Sequence, residues 1–587
     1  MDMEDSEDAT NMTDIVRPTD APSDGSFEVL ATRVSTETER YDEDLPIEYP
    51  LNKILLDKIL AHLRNQIFNQ MPIRLLQMIP NGSKLQIRLI ERSSVYAYLA
   101  ARLENEYSDV DLERAMKNSR KKLLASSNYF PTQESVEEDV IENWARRYAK
   151  YAILSHTWIR MAGGEVIFRD WNGGVFDTQS PGYQKLVNFC RVAYQEHGLA
   201  LAWMDTICIN KESSSELDES IRSMHKWYEN ATVCITYLAG TSKMWEMHRD
   251  PWFTRGWTFQ ELLAPSCIKF YTRDWKKLDN LYDSDKLHVV IQREIWKATT
   301  ITEPELLSPR QIPISRTMQL AAKRKVMREE DTAYSLMGVC GVSISIAYGE
   351  GAKRAFFRLM LGILNSEENQ SNVMDVFNCA QVASWPFSTL IPLDLSVYVN
   401  RSTKLDGRGH QIPIEPLLYT HLGLRMPVLL MPAVLHGNTS QVFEDEPIGK
   451  YYATVEFPDA ARTRFHLLDK GTGIVSRSDG LSHMTRFPPH EPIPIFGILN
   501  FGGDADDVLI PWNCLALGFE AEWLADWGST SSSRKIARYY DEERPIIFEL
   551  ADKDKSADEF LHDLSHQHEI KRRELGIHGM KMVTMYL

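Results

Sequence analysis

The stretch YAILSHTW at residues 151–158 decides the fold, because a short uncharged apolar run ends here in a group of polar side chains. An apolar run of about four to eight residues is typical of a buried strand in a parallel sheet. Segments with a helical pattern separate this run from the runs that follow it. The alternation predicts an α/β fold with a doubly wound, mostly parallel sheet and flanking helices. The three further strands are predicted at LALAWMDTI (199–207), TVCITYL (232–238) and CIKFYT (267–272).

Two helices are predicted between these strands. One begins at Pro181, a residue that suits the first turn of a helix, and the other spans residues 217–230. A further helix is predicted at 352–364, where Ala355 and Leu359 fall on one apolar face. We therefore expect an α/β domain over residues 149–370.

The rest of the chain divides into three sections by composition. The acidic N-terminal tail, residues 1–45, has too few large apolar residues to offset the entropy cost of ordering, so it is predicted to be disordered. The next section has the apolar spacing of an amphipathic helix at 51–78 and charged helical patterns at 107–124 and 136–151. The last section has short β-prone runs broken by Pro and Gly. The predicted sections are a disordered tail at 1–45, a helical N-terminal region at 46–148 and a β-rich accessory domain at 371–587.

Charge and cysteine usage limit the partners of the protein. The formal net charge is -17, and residues 1–48 hold 15 Asp and Glu against three Arg, which leaves -5 for the remainder. No basic groove for nucleic acid is visible in the sequence. No long apolar stretch or signal peptide is present, so we expect a soluble cytoplasmic protein without a membrane span.

The histidines and cysteines do not predict a metal site. The seven cysteines contain no CxxC pair, so buried reduced thiols are expected. His562, His566 and His568 lie among charged residues, and we interpret them as part of an exposed helix.

Four phrases in series resemble the pattern of fungal heterokaryon-incompatibility (HET) domains. Ile159 departs from that pattern, because the family usually has Gly after the Trp, and a Gly there would let backbone approach a ligand closely. Asn210 and Phe259 are smaller departures. The phrases are YAILSHTW (151–158), AWMDTICIN with its following helix (202–238), RGWTFQELLAP (255–265) and REEDTAYSLMGVCGV to YGEGAKRAFFRL (328–359).

This resemblance implies an effector of programmed cell death in fungal non-self recognition. It also implies a fold similar to the Toll/interleukin receptor (TIR) domain. Some TIR domains cleave NAD, whereas others only bind partners. NAD is therefore a candidate substrate, and no bound cofactor is predicted.

Polar residues that follow the predicted strands are the candidates for a site, since ligands of parallel sheets bind beyond the carboxyl ends of the strands. Glu261 is the candidate catalytic residue, because a carboxylate would stabilise the positive charge that develops on ribose during glycosidic cleavage. The candidate substrate-binding residues are Ser155, His156, Trp158, Asp205, Arg255 and Trp257.

Each of these residues also has a structural interpretation. Trp158 and Trp257 could stack on a base, or they could be core residues with a bonded indole N–H. Arg255 could bind phosphate, or it could hold Glu261 or a helix end. Glu261 itself could be an ordinary paired side chain.

Other chemistries have little support in the sequence. Ser155 and His156 are adjacent on one strand and should point to opposite faces, which prevents the hydrogen bond of a serine hydrolase triad. Cys208 is interpreted as a buried thiol, and no P-loop, GxGxxG or HExxH motif occurs. The sequence thus leaves two hypotheses: a nucleotide-cleaving effector, or a non-catalytic module that self-associates. In either case the trigger is expected from a protein partner or from self-association.

Overall fold

The structure is a computed structural model that describes residues 53–399, except for five gaps, and a series of shorter stretches between 417 and 586 that are mainly strands. The acidic tail at 1–45 and the three histidines at 562–568 lie outside the described residues. The gaps are 83, 127–129, 162–163, 367–372 and 380–390.

A six-stranded sheet forms the centre of the α/β region. Its strands lie in the order β2-β1-β4-β3-β5-β6, in which β4, β3, β5 and β6 are parallel and the β1–β2 hairpin is antiparallel. The prediction of a mostly parallel α/β sheet is confirmed. The strands are β1 (Arg74–Asn81), β2 (Lys84–Glu91), β3 (Ala152–His156), β4 (Leu201–Trp203), β5 (Val233–Tyr237) and β6 (Ile268–Tyr271).

Strand β3 lies between β4 and β5, although it comes first of the four parallel strands along the chain. The chain therefore crosses β3 after β4, and the strand order reverses beside β3. In open α/β sheets this reversal produces a crevice at the carboxyl ends of the strands, where ligands bind. The TIR-like character of the fold remains a prediction.

Of the two predicted connecting helices, one begins at Pro181 as predicted, and the one predicted at 217–230 begins at Ser214. Ser180 accepts a hydrogen bond from Tyr183 N at the start of the helix that Pro181 opens. The described helices are α1 (Lys53–Gln70), α2 (Arg92–Glu106), α3 (Asp109–Ser126), α4 (Gln133–Tyr148), α5 (Phe168–Gly173), α6 (Pro181–Gln195), α7 (Asp205–Cys208), α8 (Ser214–Asn230), α9 (Thr258–Leu263), α10 (Val289–Thr299), α11 (Glu303–Leu307), α12 (Ile314–Ala321), α13 (Asp331–Tyr334) and α14 (Ala352–Leu364).

Helix α8 is attached to β3 by two hydrogen bonds. Tyr228 Oη donates to the carbonyl of Leu154 at 2.9 Å, and Tyr151 Oη donates to the carbonyl of Trp227 at 2.5 Å. All four residues are buried, so these bonds are shielded from water and fix the strand against the helix.

Two local predictions are wrong. The helix expected at 51–78 ends at Gln70, and residues 74–91 form a hairpin of the main sheet, with the turn at Gly82, whose φ is +60°. Leu75, Leu76 and Met78 of β1 are buried. Pairing of β1 with β2 and β4 outweighs the helical spacing of its apolar residues.

The second wrong prediction concerns the strand expected at 199–207. It ends at Trp203, and α7 follows it directly. The amides of Ile207 and Cys208 donate to the carbonyl of Met204, which closes a helical turn. Asp205 and Cys208 therefore lie on a helix rather than on a strand.

Beyond residue 417 the described strands form mainly one antiparallel ten-stranded sheet and a separate two-stranded one. The β-prone runs of the sequence coincide with strands here, while the boundaries of an accessory domain remain a prediction. The strands are β7 (Leu418–Thr420), β8 (Gly423–Pro432), β9 (Val434–His436), β10 (Tyr452–Glu456), β11 (Arg462–Leu467), β12 (Ile493–Ile498), β13 (Gly502–Gly503), β14 (Val508–Leu509), β15 (Asn513–Ala521), β16 (Ile536–Arg538), β17 (Ile546–Leu550) and β18 (Lys581–Tyr586).

We expect Gly182→Ala to destabilise the protein. A Cβ atom at Gly182 would lie 2.1 Å from the carbonyl oxygen of Gly164 and 2.7 Å from the Cα of Glu165, so backbone would have to shift. Such overpacking costs about 1–3 kcal/mol. Thermal unfolding should therefore begin at a lower temperature than in the wild type. Gly173→Ala is the matched control, since its Cβ would meet nothing within 4 Å; equal melting of both variants would contradict the prediction.

Candidate functional site

Two neighbouring residues at the end of β3 organise the site. Ser155 and His156 are consecutive on the strand, and their side chains point to opposite faces of the sheet. Ser155 bonds to Glu261, whereas His156 bonds to Asp205. The polar residues therefore form two groups, which we call the Glu261 group and the Asp205 group.

The Glu261 group is buried. Ser155 Oγ donates to Glu261 Oε2 at 2.5 Å, and Trp252 Nε1 donates to Ser155 Oγ at 2.7 Å. Since Ser155 Oγ accepts a hydrogen bond from the indole N–H, its own proton is directed to the carboxyl of Glu261. Glu261 lies on α9 and is 8% exposed. Burial raises the pKa of Glu261 to about 7, against the opposing effect of the Ser155 hydrogen bond.

Arg324 lies beside the Glu261 group. Its Nη1 donates to the carbonyl of Arg255 at 3.0 Å and to Thr258 Oγ1 at 3.2 Å, and its guanidinium lies 4.8 Å from the centre of the Phe259 ring. Its Nη2 atom is buried and has no hydrogen-bond partner. Burial lowers the pKa of Arg324 to about 9, and the charge of Glu261 opposes this effect.

The candidate Arg255 is half-buried, and its positive charge acts on Glu261 without a direct ion pair. The candidate Trp257 is also half-buried and lies beside the carboxylate of Asp331; burial raises the pKa of Asp331, and Trp257 opposes this effect. Tyr348 Oη donates to the same carboxylate at 2.8 Å.

The Asp205 group contains a histidine with both ring nitrogens bonded. His156 Nε2 lies 2.9 Å from Asp205 Oδ1, and His156 Nδ1 lies 2.8 Å from Lys185 Nζ. An ammonium can only donate, so Nδ1 accepts and the ring proton lies on Nε2, directed at Asp205. Burial and the charge of Lys185 lower the pKa of His156, which keeps the imidazole neutral.

Asp205 is held by cations and donors. Trp158 Nε1 donates to Asp205 Oδ2 at 2.9 Å, and Lys211 Nζ lies 3.8 Å from the same oxygen. The Lys211 ammonium also lies 3.5 Å from the centre of the Trp158 ring, a cation–π contact. Although burial opposes it, the net effect of Lys211, His156 and Trp158 is a lowered pKa of Asp205. Asp205 is therefore a fixed negative charge, and one face of Trp158 is occupied by Lys211.

Lys185 and Glu165 complete the Asp205 group, and the sequence did not indicate either of them. Lys185 Nζ contacts Glu165 Oε1 and donates to the carbonyl of Thr157 at 3.2 Å. Ile159 N donates to Glu165 Oε1 at 2.7 Å. Glu165 Oε2 is buried without a hydrogen-bond partner. Ile159, which departs from the HET pattern, therefore donates its backbone N–H to the carboxylate of Glu165.

Ser155 and His156 do not bond to each other, because Ser155 bonds to Glu261 while His156 is bonded on both nitrogens. Cys208 is buried, and burial raises the pKa of its thiol to about 12. Among the residues that the structure describes, no group of three or more His, Cys, Asp and Glu could hold a metal ion. None of the described helices is long and apolar enough to cross a membrane.

Comparison with known proteins identifies the class to which this region belongs. The family model described as "Heterokaryon incompatibility protein (HET)" matches residues 151–248. This range contains β3, β4, β5 and the Asp205 group, whereas Arg255, Trp257 and Glu261 lie beyond its end. Residues 151–248 therefore form a HET domain.

One curated relative is similar over a longer range. The vegetative incompatibility protein HET-E-1 of Podospora anserina is 36% identical over 223 residues, which is 36% of this chain. The matched part is 16% of the length of that relative. No solved structure matches the chain.

The raised pKa of Glu261 predicts how stability depends on pH. Folded Glu261 keeps its proton up to about pH 7, whereas unfolded Glu loses it near 4.5. Between these values the folded state binds more protons, so the free energy of unfolding falls as pH rises through this window. The full shift corresponds to about 3 kcal/mol.

Glu261→Gln stays neutral and should remove this loss of stability. The difference in the free energy of unfolding between the variant and the wild type should therefore favour the variant more at pH 8 than at pH 5. Chemical denaturation across that pH range measures this difference. Glu138→Gln, on the exposed surface of α4, should follow the wild-type curve. Parallel curves for wild type and Glu261→Gln would contradict the prediction.

Proposed function

We propose that this protein acts in heterokaryon incompatibility as a cytoplasmic effector of the cell death that follows non-self recognition, with the HET domain as its acting part. The family match and the HET-E-1 relative support this role. A protein partner or self-association supplies the trigger.

The single observation that carries the chemistry is Glu261, a buried carboxyl with a pKa of about 7 beside the strand-order reversal. Such a group exchanges a proton at neutral pH, which is the requirement for general acid–base catalysis. The favoured reaction is hydrolysis of the N-glycosidic bond of NAD or a related nucleotide. Water adds to the ribose carbon and gives a proton to Glu261, and the base leaves with the electrons of the broken N-glycosidic bond. Before it takes this proton, ionised Glu261 stabilises the positive charge that develops on the ribose.

The two groups would divide the work of binding. Asp205 carries a fixed negative charge, and Lys211 and Arg255 contribute positive charge near it. Phosphate of the substrate would be bound by the cations, and Ser155 would orient the carboxyl of Glu261.

Glu261→Gln should abolish killing and NAD loss when the full chain is expressed under an inducible promoter. Glutamine keeps the hydrogen bond from Ser155 but cannot ionise, so the loss should be at least about 100-fold in NAD turnover. Cell viability and cellular NAD are measured together, with Glu138→Gln as the matched control. If the wild type kills cells while cellular NAD stays constant, or if Glu261→Gln kills as well as the wild type, the proposed NAD hydrolysis is contradicted.

A second candidate function is a non-catalytic module that assembles with other copies or a partner. The burial of Glu261 and Ser155 favours it, because both groups are already hydrogen-bonded within the fold. In that case Glu261→Gln kills normally, purified assemblies consume no nucleotide, and substitutions that prevent association abolish killing.

A further inference from the structure

The two edges of the six-stranded sheet differ in how their backbone groups are bonded. At the β6 edge, Phe270 N donates to Asp285 Oδ2 at 2.7 Å and Ile268 N donates to Ser284 Oγ at 3.2 Å. The carbonyl of Phe270 accepts from Leu278 N at 3.0 Å. The segment after β6 therefore bonds both outward amides and the carbonyl of Phe270, which hinders pairing of this edge with another strand.

Among the residues that the structure describes, none covers the β2 edge in this way. Met78 N donates to the carbonyl of Ala200 at 2.8 Å, away from β2, although Met78 lies opposite Ile87. Pro80, which lies opposite Leu85, has no N–H at all. These pairs are thus of the non-hydrogen-bonded kind, in which the N–H and C=O of each residue point away from the paired strand.

Leu85, Ile87 and Leu89 therefore direct their backbone groups outward. Within the described part of the chain, none of these groups has a hydrogen-bond partner. The side chains of all three are half-exposed. Strand β2 is eight residues long and contains no proline, so it lacks two of the features that usually protect an edge from pairing.

We propose that the β2 edge binds the β2 edge of a second copy of this chain in an antiparallel pair, with Ile87 on the two-fold axis. Ile87 then faces the partner's Ile87, and Leu85 faces the partner's Leu89. Each of these pairs exchanges two backbone hydrogen bonds. This interface does not depend on the proposed chemistry.

The side chains of β2 favour a second copy and this register. On the other face, Gln86 lies opposite the partner's Arg88, an acceptor opposite a donor; the two side chains already make such a bond within the strand, at 3.4 Å. Moving the partner by two residues would place Arg88 against the partner's Arg88, or Lys84 against the partner's Arg88. Like charges directly opposite each other are destabilising. The strand is therefore complementary to itself, as a two-fold interface requires.

The first test uses the full chain and the residue on the axis. Ile87→Lys should place two ammonium groups together, and Ile87→Glu two carboxylates, so each variant alone should dimerise roughly tenfold or more weakly than wild type. An equimolar mixture should form a dimer again, because Lys then faces Glu. Sedimentation velocity over a concentration series into the high micromolar range measures the association.

The mixture also controls for folding, since two misfolded variants would not restore association. Ile87→Val, which keeps the apolar contact, should dimerise like wild type. A wild-type chain that stays monomeric at all concentrations, or a mixture that fails to associate, would overturn the proposal. Unchanged dimerisation of Ile87→Lys would place the interface elsewhere and equally overturn it.

The second test fixes the register. Gln86→Cys and Arg88→Cys occupy a non-hydrogen-bonded pair across the interface, where the Cα atoms lie about 4.5 Å apart, within reach of a disulfide. Under mild oxidation, a mixture of the two variants should give a heterodimer disulfide, and each variant alone should not. Equal cross-linking of either variant with itself would refute the register.

Discussion

The paired hydrogen bonds of Ser155 and His156 are the constraint on which the rest of the site depends. A strand turns consecutive side chains to opposite faces, so the end of β3 binds one acid on each side. Glu261 comes from α9 and Asp205 from α7, and these hydrogen bonds connect both helices to the end of β3. Asp205 lies 49 residues after His156 in the sequence, and Glu261 lies 106 residues after Ser155. The fold brings both acids to the carboxyl ends of the parallel strands.

Burial has opposite consequences for the two acids because their neighbours differ. Asp205 has cations and donors around it, and these outweigh the cost of removing a carboxylate from water. Glu261 has chiefly a hydroxyl, so the same cost raises the pKa of Glu261 to about 7. One acid is therefore a permanent charge and the other a proton reservoir near neutrality. This difference arises from the partners of the acids and not from their depth alone.

The sequence predicts those features that depend on local pattern. Strands β3, β5 and β6 and helices α6 and α8 follow from short apolar runs, caps and spacing. The β1–β2 hairpin was missed because Leu75, Leu76 and Met78 fit a helix as well as a strand, and pairing with β4 decides between them. The residues after the strands were found, since they follow an apolar run. The sequence does not predict the roles of Lys185, Glu165 and Arg324. Their neighbours in the sequence do not show which side chains they contact in the fold.

The bonded edge at β6 has a consequence for the size of any assembly. A sheet with two open edges adds subunits at both ends and grows into a filament, whereas a sheet with one open edge is complete after a single addition. Asp285 and Ser284, which bond the amides of β6, therefore act as a terminator of growth along this sheet. An assembly that used the β2 edge alone would therefore stop at a pair, and its formation would saturate with concentration instead of spreading.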